Sequence, residues 1–314
     1  MSTPTDEPIT PLRIGAGSFA SIFVVCGGPL AFKIVHAREN REILKKEYEA
    51  LSYLYAACNT DSFFRVPKPL AFYDAEQEVL LATTHRPFLS RNSRIAHCPP
   101  APISASFFEV LGNSDPVYAM DRVFALPGNV GRPICSQFMP DAITTSPNLC
   151  RLYFGKTFDQ GKGSRFVNTN NFPLDVQRYQ WLRATLSEEI QVHLPSAEEI
   201  ALEMGEMLGR IHWHGGYDAR DVEFIMGGDG FVGVTFYVID FNQMRPWGRS
   251  YEDVSVLVDA FFQNDPYYPR PRDGGSMYRG FREGYLLAYP PTENSRVIAE
   301  AFLTAIEEKD GIVR

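Results

Sequence analysis

Carboxylates are the most chemically suggestive residues of this chain. Asp218, Asp221 and Glu223 fall within one short stretch, Asp218-Ala219-Arg220-Asp221-Val222-Glu223-Phe224-Ile225. Asp240 closes a nearby apolar run, Tyr237-Val238-Ile239-Asp240-Phe241-Asn242. Carboxylates gathered in one neighbourhood repel unless they hold a metal, share protons or bind a cation. A planar guanidinium, which bonds two carboxylate oxygens at once, suits such a group. The same side chains would also serve as proton acceptors or Mg²⁺ ligands. His212 and His214 flank Trp213 just upstream and point to different faces, so they make a poor metal pair. His214 is a candidate to contact substrate or assist proton transfer; the plainer reading is a helix-end histidine favoured by the dipole.

A second set lies near the start. Gly15-Ala16-Gly17-Ser18-Phe19-Ala20-Ser21-Ile22 has the form GxGxxAxI, and Gly15 and Gly17 would let backbone approach a phosphate closely. Alone, two glycines need only mean a tight turn. Lys33 follows in Ala31-Phe32-Lys33, and Glu47 sits in the middle of an expected helix. A strand lysine paired with a helix glutamate fixes α/β-phosphates beneath a glycine-rich loop. The stretch 151–165 carries Arg151, Lys156, Lys162 and Arg165 against Asp159, a local +3. A solvated loop explains it; a phosphate-contacting surface that also takes in Arg270 and Arg272 is the sharper reading.

The elements that must position these residues follow from hydrophobic pattern. Ser21–Val25 and Leu30–Val35 flank Gly27-Gly28-Pro29 and read as a hairpin. Ile43, Leu44, Leu51 and Leu54 recur at helical spacing within 39–57. Strand-like runs surround Phe72, Val79–Ala82 and Val117–Phe124. Ser196 followed by Glu199 is a capping box opening an amphipathic helix. A loop over 215–221, a strand pair at 223–226 and 236–239, and helices at 250–263 and 295–308 complete the reading. The expected domains are a β-rich lobe over 12–123, with a Pro-rich insertion at about 85–115, and a helical lobe over 124–314.

Composition narrows the classes. The 314 residues are 45% hydrophobic and 22% charged, too apolar for a disordered chain. The charge-free stretch Phe19–Phe32 near the start, interrupted by Gly27, Gly28 and Pro29, is too short and broken for a membrane span. Residues 1–10 are polar and acidic, unlike a secretory signal, so a cytoplasmic protein is expected. The net charge of −8 argues against a general nucleic-acid binder and against DNA as a partner. Five widely spaced cysteines, with no CxxC pair, give neither a zinc site of usual spacing nor a disulfide framework. Trp181, Trp213 and Trp247 read as packing residues, and Tyr267 and Tyr268 as a rigid turn walling a cleft.

The order of these motifs resembles that of protein kinases. On that resemblance the fold is α+β and two-lobed, a small β-rich N-lobe with one helix beside a larger, mainly helical C-lobe. Asp218 then takes the catalytic-base position and Asp240 the magnesium-binding one. Glu223 stands where a kinase has its metal-binding Asn, and Asn242 replaces the glycine after Asp-Phe. Longer strings are more specific: Met120-Asp121-Arg122-Val123, Arg151-Leu152-Tyr153-Phe154-Gly155, Asp240-Phe241-Asn242-Gln243 and Phe261-Phe262-Gln263-Asn264-Asp265-Pro266-Tyr267-Tyr268-Pro269-Arg270-Pro271. These are similar to a fungal kinase-like family of undefined function, whose loose zinc-finger label the cysteine spacing does not support. The chain also resembles the fungal arginine-containing cyclodipeptide synthases, which build cyclic Arg-X dipeptides from aminoacyl-tRNAs.

Three functions follow as expectations. As a synthase the chain would take arginyl-tRNA and a second aminoacyl-tRNA and need no cofactor. Asp218 or Glu223 would be the base, Asp240 a further catalytic group, and Asp221, His214 and Asn242 substrate contacts. Arg151, Lys156, Lys162, Arg165, Arg270 and Arg272 would meet tRNA phosphates. Ser18 and Ser21 are positional candidates for an acyl-enzyme. As a phosphotransferase it would use ATP and Mg²⁺, with Gly15, Gly17, Lys33 and Glu47 on the nucleotide and Asp240 and Glu223 on the metal. As a binding module it would keep the same residues as architecture.

Overall fold

The computed structural model describes residues 10–82, 103–112, 114–162, 168 and 170–311. Arg165, Cys98 and most of the expected insertion lie outside that set. The chain divides into two units, one of Met1–Ser52 with Lys68–Arg122, the other of Tyr53–Pro67 with Val123–Arg314. Residues 53–67 thus belong with the later residues rather than with those on either side of them.

The first unit is built on β1 (Leu12–Ala16), β2 (Ala20–Val24), β3 (Leu30–Val35), the start of α1 (Arg41–Cys58), β4 (Pro69–Asp74), β5 (Val79–Ala82) and β6 (Val117–Asp121). They form an antiparallel sheet in the order β1-β2-β3-β6-β4-β5. The β2–β3 turn needs Gly27, which holds φ +75°, a region costly for any residue with a Cβ. Strand alternation sorts the faces. Phe32 and Ile34 point to one side, into a core with Ala71, Phe108, Val117 and Ala119. Lys33, between them, points to the other and pairs in register with Ile22.

The second unit is not only helical. It holds α2 (Gly128–Phe138), β7 (Leu149–Leu152), β8 (Asn171–Leu174), α3 (Val176–Ile190), α4 (Ala197–Arg210), β9 (Glu223–Gly228), β10 (Val234–Ile239), α5 (Val254–Gln263), α6 (Ser276–Leu287) and α7 (Glu293–Lys309). Its sheet runs β10-β9-β7-β8, with β7 and β8 parallel. Residues 149–152, where a loop was expected to begin, are buried strand because Cys150 and Leu152 alternate inward. Residues 53–67 join this unit through Phe64, whose ring packs against Phe224 at 4.8 Å and Phe236 at 6.0 Å, and through an Arg65–Tyr237 bridge.

The expected capping box forms: Ser196 Oγ accepts from Glu199 N at 3.1 Å and Ser196 N donates back to Glu199 Oε2 at 2.6 Å. From that start α4 runs against α6 at close range, because Gly205, Gly209 and Gly284 leave no side chain between the backbones. The helix then relaxes into a π turn over Ile211–Gly215. Helix 250–263 begins only at Val254. Among the described residues no helix is long and apolar enough to cross a membrane.

Candidate functional site

The site grows from the loop joining the π turn to β9. Asp218 is 1% exposed, and both of its carboxylate oxygens are engaged. Oδ1 accepts from the backbone N–H groups of Arg220 (3.1 Å) and Arg245 (2.9 Å), and Oδ2 from Arg245 Nε at 2.7 Å. Asp218 N returns a bond to Arg245 O at 2.9 Å. The residue expected at the catalytic-base position is therefore a brace between this loop and the segment after β10. A group with both oxygens held in this way is poorly placed to collect a substrate proton.

Beyond it the backbone is forced into an unusual path. Ala219 (φ 54°), Asp221 (φ 64°) and Asp240 (φ 65°) are all left-handed without being glycine. Each such residue costs on the order of 1 kcal/mol or more and persists only where neighbours hold it. Asn264, 6% exposed, is one holder. Its Oδ1 accepts from Asp221 N at 2.7 Å and its Nδ2 donates to Ala219 O at 2.9 Å. One buried amide thus clamps both left-handed residues of the loop.

Glu223, the first residue of β9, turns toward β7. Arg151 Nη2 lies 2.6 Å from Glu223 Oε1, and Arg151 Nη1 lies 3.9 Å from Asp265 Oδ2. Tyr153 Oη donates to Asp265 Oδ2 at 3.1 Å, and the Tyr153 ring stacks on Tyr267 at 4.9 Å. The Tyr267 hydroxyl is buried beside the Glu223 carboxylate. Gln243 Nε2 donates to Asp221 Oδ2 at 2.5 Å. The acidic set is thus Asp221, Glu223, Asp240 and Asp265, with Arg151 as its close cation.

Electrostatics follow from that imbalance. Burial pushes Glu223 up to about 7; Arg151 opposes the rise, and Asp240, Asp221 and Asp265 add to it. Asp221 is raised by burial first, then by Asp240 and Asp265. A carboxyl near 7 exchanges its proton readily at neutral pH. Asn242 is half-buried next to Asp240, and its Oδ1 is buried with no hydrogen-bond donor among the described residues.

Other expected site residues lie elsewhere. His214 is exposed and its Nε2 bonds the Ala288 carbonyl at 3.0 Å, directing it to the end of α6 rather than to the carboxylates. His212 is buried, with Nδ1 2.8 Å from Tyr285 Oη. Arg270 is 8% exposed and lies over the rings of Phe261 (5.0 Å) and Phe262 (5.2 Å), and Arg151 faces Glu223. Lys156 and Arg272 are exposed; Lys162 is exposed and paired with Asp141. Within the first unit, Lys33 Nζ meets Glu47 Oε1 at 2.6 Å, both side chains buried. Ser21 Oγ is 2.8 Å from His36 Nε2 on the opposite face of that sheet.

Sequence reasoning missed Asn264, Asp265, Gln243 and Arg245 as parts of the site, and did not pair Arg151 with Glu223. The available signal was the polar pair Asn264-Asp265 wedged between aromatic residues and Pro266. Gly155 ties that segment down: its N–H donates to Pro266 O at 2.9 Å, and a Cβ there would collide with the Tyr268 carbonyl. Among the described residues no three His, Cys, Asp or Glu side chains converge as metal ligands.

A family model described as zinc finger protein matches residues 236–288. That stretch contains neither cysteine nor histidine, so it has no ligands for a zinc finger. It does carry Asp240, Gln243, Arg245, Asn264 and Asp265, which supply one side of the acidic site. No curated protein matches the chain.

Proposed function

We propose that this protein is a tRNA-dependent cyclodipeptide synthase on a repurposed kinase-like fold, joining an arginyl group to a second aminoacyl group. The observation that carries the reading is Glu223, a buried carboxyl pushed up to about 7 within an acidic set. Aminoacyl esters are already activated, so bond formation needs two acyl ends held together and a group to deprotonate an α-ammonium. In this reading the Glu223 carboxylate takes that proton. The freed amine attacks the ester carbonyl of the other aminoacyl group, and the tRNA 3′-oxygen leaves with a proton. A second attack of the same kind closes the ring. Asp221, Asp240 and Asp265 give an arginyl guanidinium its counter-charges, and Asn242 Oδ1 offers it an acceptor.

The test is mass spectrometry of purified protein incubated with a tRNA pool, synthetases, ATP for charging and all amino acids, with and without RNase. A cyclic Arg-containing dipeptide that RNase abolishes is the expected result; its absence sinks the proposal. Glu223→Gln is expected to remove the product while leaving a folded protein, and full activity in that variant would rule out its role as the base.

A phosphotransferase is the second reading, favoured by the buried Lys33–Glu47 pair. Gly15 and Gly17 add to it: a Cβ at either would find its nearest neighbour at 3.7 or 3.8 Å, so packing alone does not require glycine there. The metal side fits less well. Glu223 is already paired with Arg151, and among the described residues no ligand set converges around Asp240. The residues present do not make a prebuilt Mg²⁺ centre. Calorimetric titration with Mg-ATP decides it, since lack of binding removes the reading.

A further inference from the structure

The acidic set holds Asp221, Glu223, Asp240 and Asp265, and the cation that the geometry brings against Glu223 is Arg151. Arg151 is anchored by backbone rather than by its charge: β7 lies between β8 and β9, with Arg151 in register with Ile225 and Pro173. Only its side chain is free to choose a partner. It reaches Glu223 through one terminal nitrogen, Nη2, at 2.6 Å. Nη1 is 3.4 Å from Tyr153 Oη and 3.9 Å from Asp265 Oδ2, while Nε is buried with no acceptor among the described residues. A planar guanidinium fork can serve two oxygens of one partner at once. This one gives a single terminal nitrogen to Glu223, a carboxylate more buried than Asp265.

We propose that Arg151 is the resident counter-ion of Glu223, keeping it an ionised proton acceptor inside a site that otherwise repels its charge. This rests on the reading of Glu223 as the base. Among the described residues the groups facing Glu223 are Arg151 on β7, Asp221 in the preceding loop, Asp240 after β10, and Asp265 and Tyr267 in the segment after α5. All but Arg151 are acidic or neutral. Burial and the three aspartates push Glu223 toward its protonated form, and Arg151 opposes them. Without the guanidinium the carboxyl would hold its proton at neutral pH and have no capacity to take another. Arg151 is thus a positioning residue that acts through Glu223.

The experiment is a titration of the Glu223 side-chain carboxyl by ¹³C NMR, assigned by its loss in Glu223→Gln, in wild type, Arg151→Met and Arg151→Lys. No substrate is present. Arg151→Met is expected to raise the midpoint by about one pH unit or more, and Arg151→Lys to restore most of the difference. The acid limb of the pH profile for dipeptide formation should move up by the same amount. An unmoved midpoint in a folded Arg151→Met protein overturns the proposal, as does a moved midpoint with an unmoved acid limb. If wild type makes no dipeptide, the synthase reading fails by itself, and the substrate-free midpoint still decides whether Arg151 is the counter-ion.

Discussion

At the scale of single residues, a carboxyl poised to exchange a proton has to be distinguished from one that holds shape. Asp218 and Glu223 lie five positions apart and are both largely buried, but their partners differ in kind. Asp218 accepts two backbone N–H groups and Arg245 Nε, bonds that close a loop. Glu223 meets one guanidinium nitrogen and otherwise faces like charge. Its folded pKa is raised, so the folded state keeps a proton that the unfolded chain releases. Stability is therefore fully expressed below about 4.5 and falls as pH rises toward about 7. Glu223→Gln removes that loss. It should be inactive yet more stable than wild type at pH 8, by up to about 3 kcal/mol, and no more stable at pH 4. Thermal melts across pH check this. Asn264→Asp keeps the shape of the clamp but replaces the amide donor to Ala219 and adds a charge beside Asp221. It should lower turnover by about 100-fold and speed hydrogen exchange at the Asp221 amide.

At the scale of elements, the sequence patterns named the strands and helices well where one face is buried and one is not. The β2–β3 hairpin, β10 and the start of α4 were legible because alternation, turn glycine and capping box all agree there. Strands β7 and β8 were not, because four-residue strands inside a Pro- and Asn-rich stretch carry too little periodicity. The α4–α6 contact was equally hidden. It depends on Gly205 and Gly284, each of which faces the other helix's backbone: a Cβ at Gly205 would enter the Phe281 carbonyl, and one at Gly284 the Leu202 carbonyl. Gly205→Ala or Gly284→Ala, although good for helix propensity, should therefore destabilise by about 1–3 kcal/mol. Denaturant unfolding monitored by tryptophan fluorescence gives the sign; a stabilising effect would mean the helices are not so closely packed.

At the scale of the whole molecule, the interior of the second unit carries an ionisable group outside the acidic set. His212 sits against Tyr285, Trp247 and Phe302 with ring centroids 5.6, 6.4 and 5.3 Å away. Burial pushes it down to about 3. The unfolded chain takes up a proton on this histidine below about 6.5 and the folded one does not. Stability is thus fully present above that pH and is lost as pH falls toward about 3. His212→Gln should flatten this dependence between pH 6 and 4, whatever its cost at pH 8. Equilibrium unfolding at several pH values reads the slope.

The amino-acid sequence by itself determined the candidate carboxylates, the Lys33–Glu47 pair and most elements around them, because these follow from residue type and short-range spacing. Lys33 and Glu47 meet since a β-strand and the next helix leave few registers open. Only tertiary structure decided which carboxylate is engaged and which is poised. Arg245, the Asn264-Asp265 pair and Arg151 come to the site from three separate segments, and no local pattern says which oxygen each will approach. A carboxyl's proton affinity is set by burial and by charges brought close in space, and both come into being only when β7, β9 and the segment after α5 pack together.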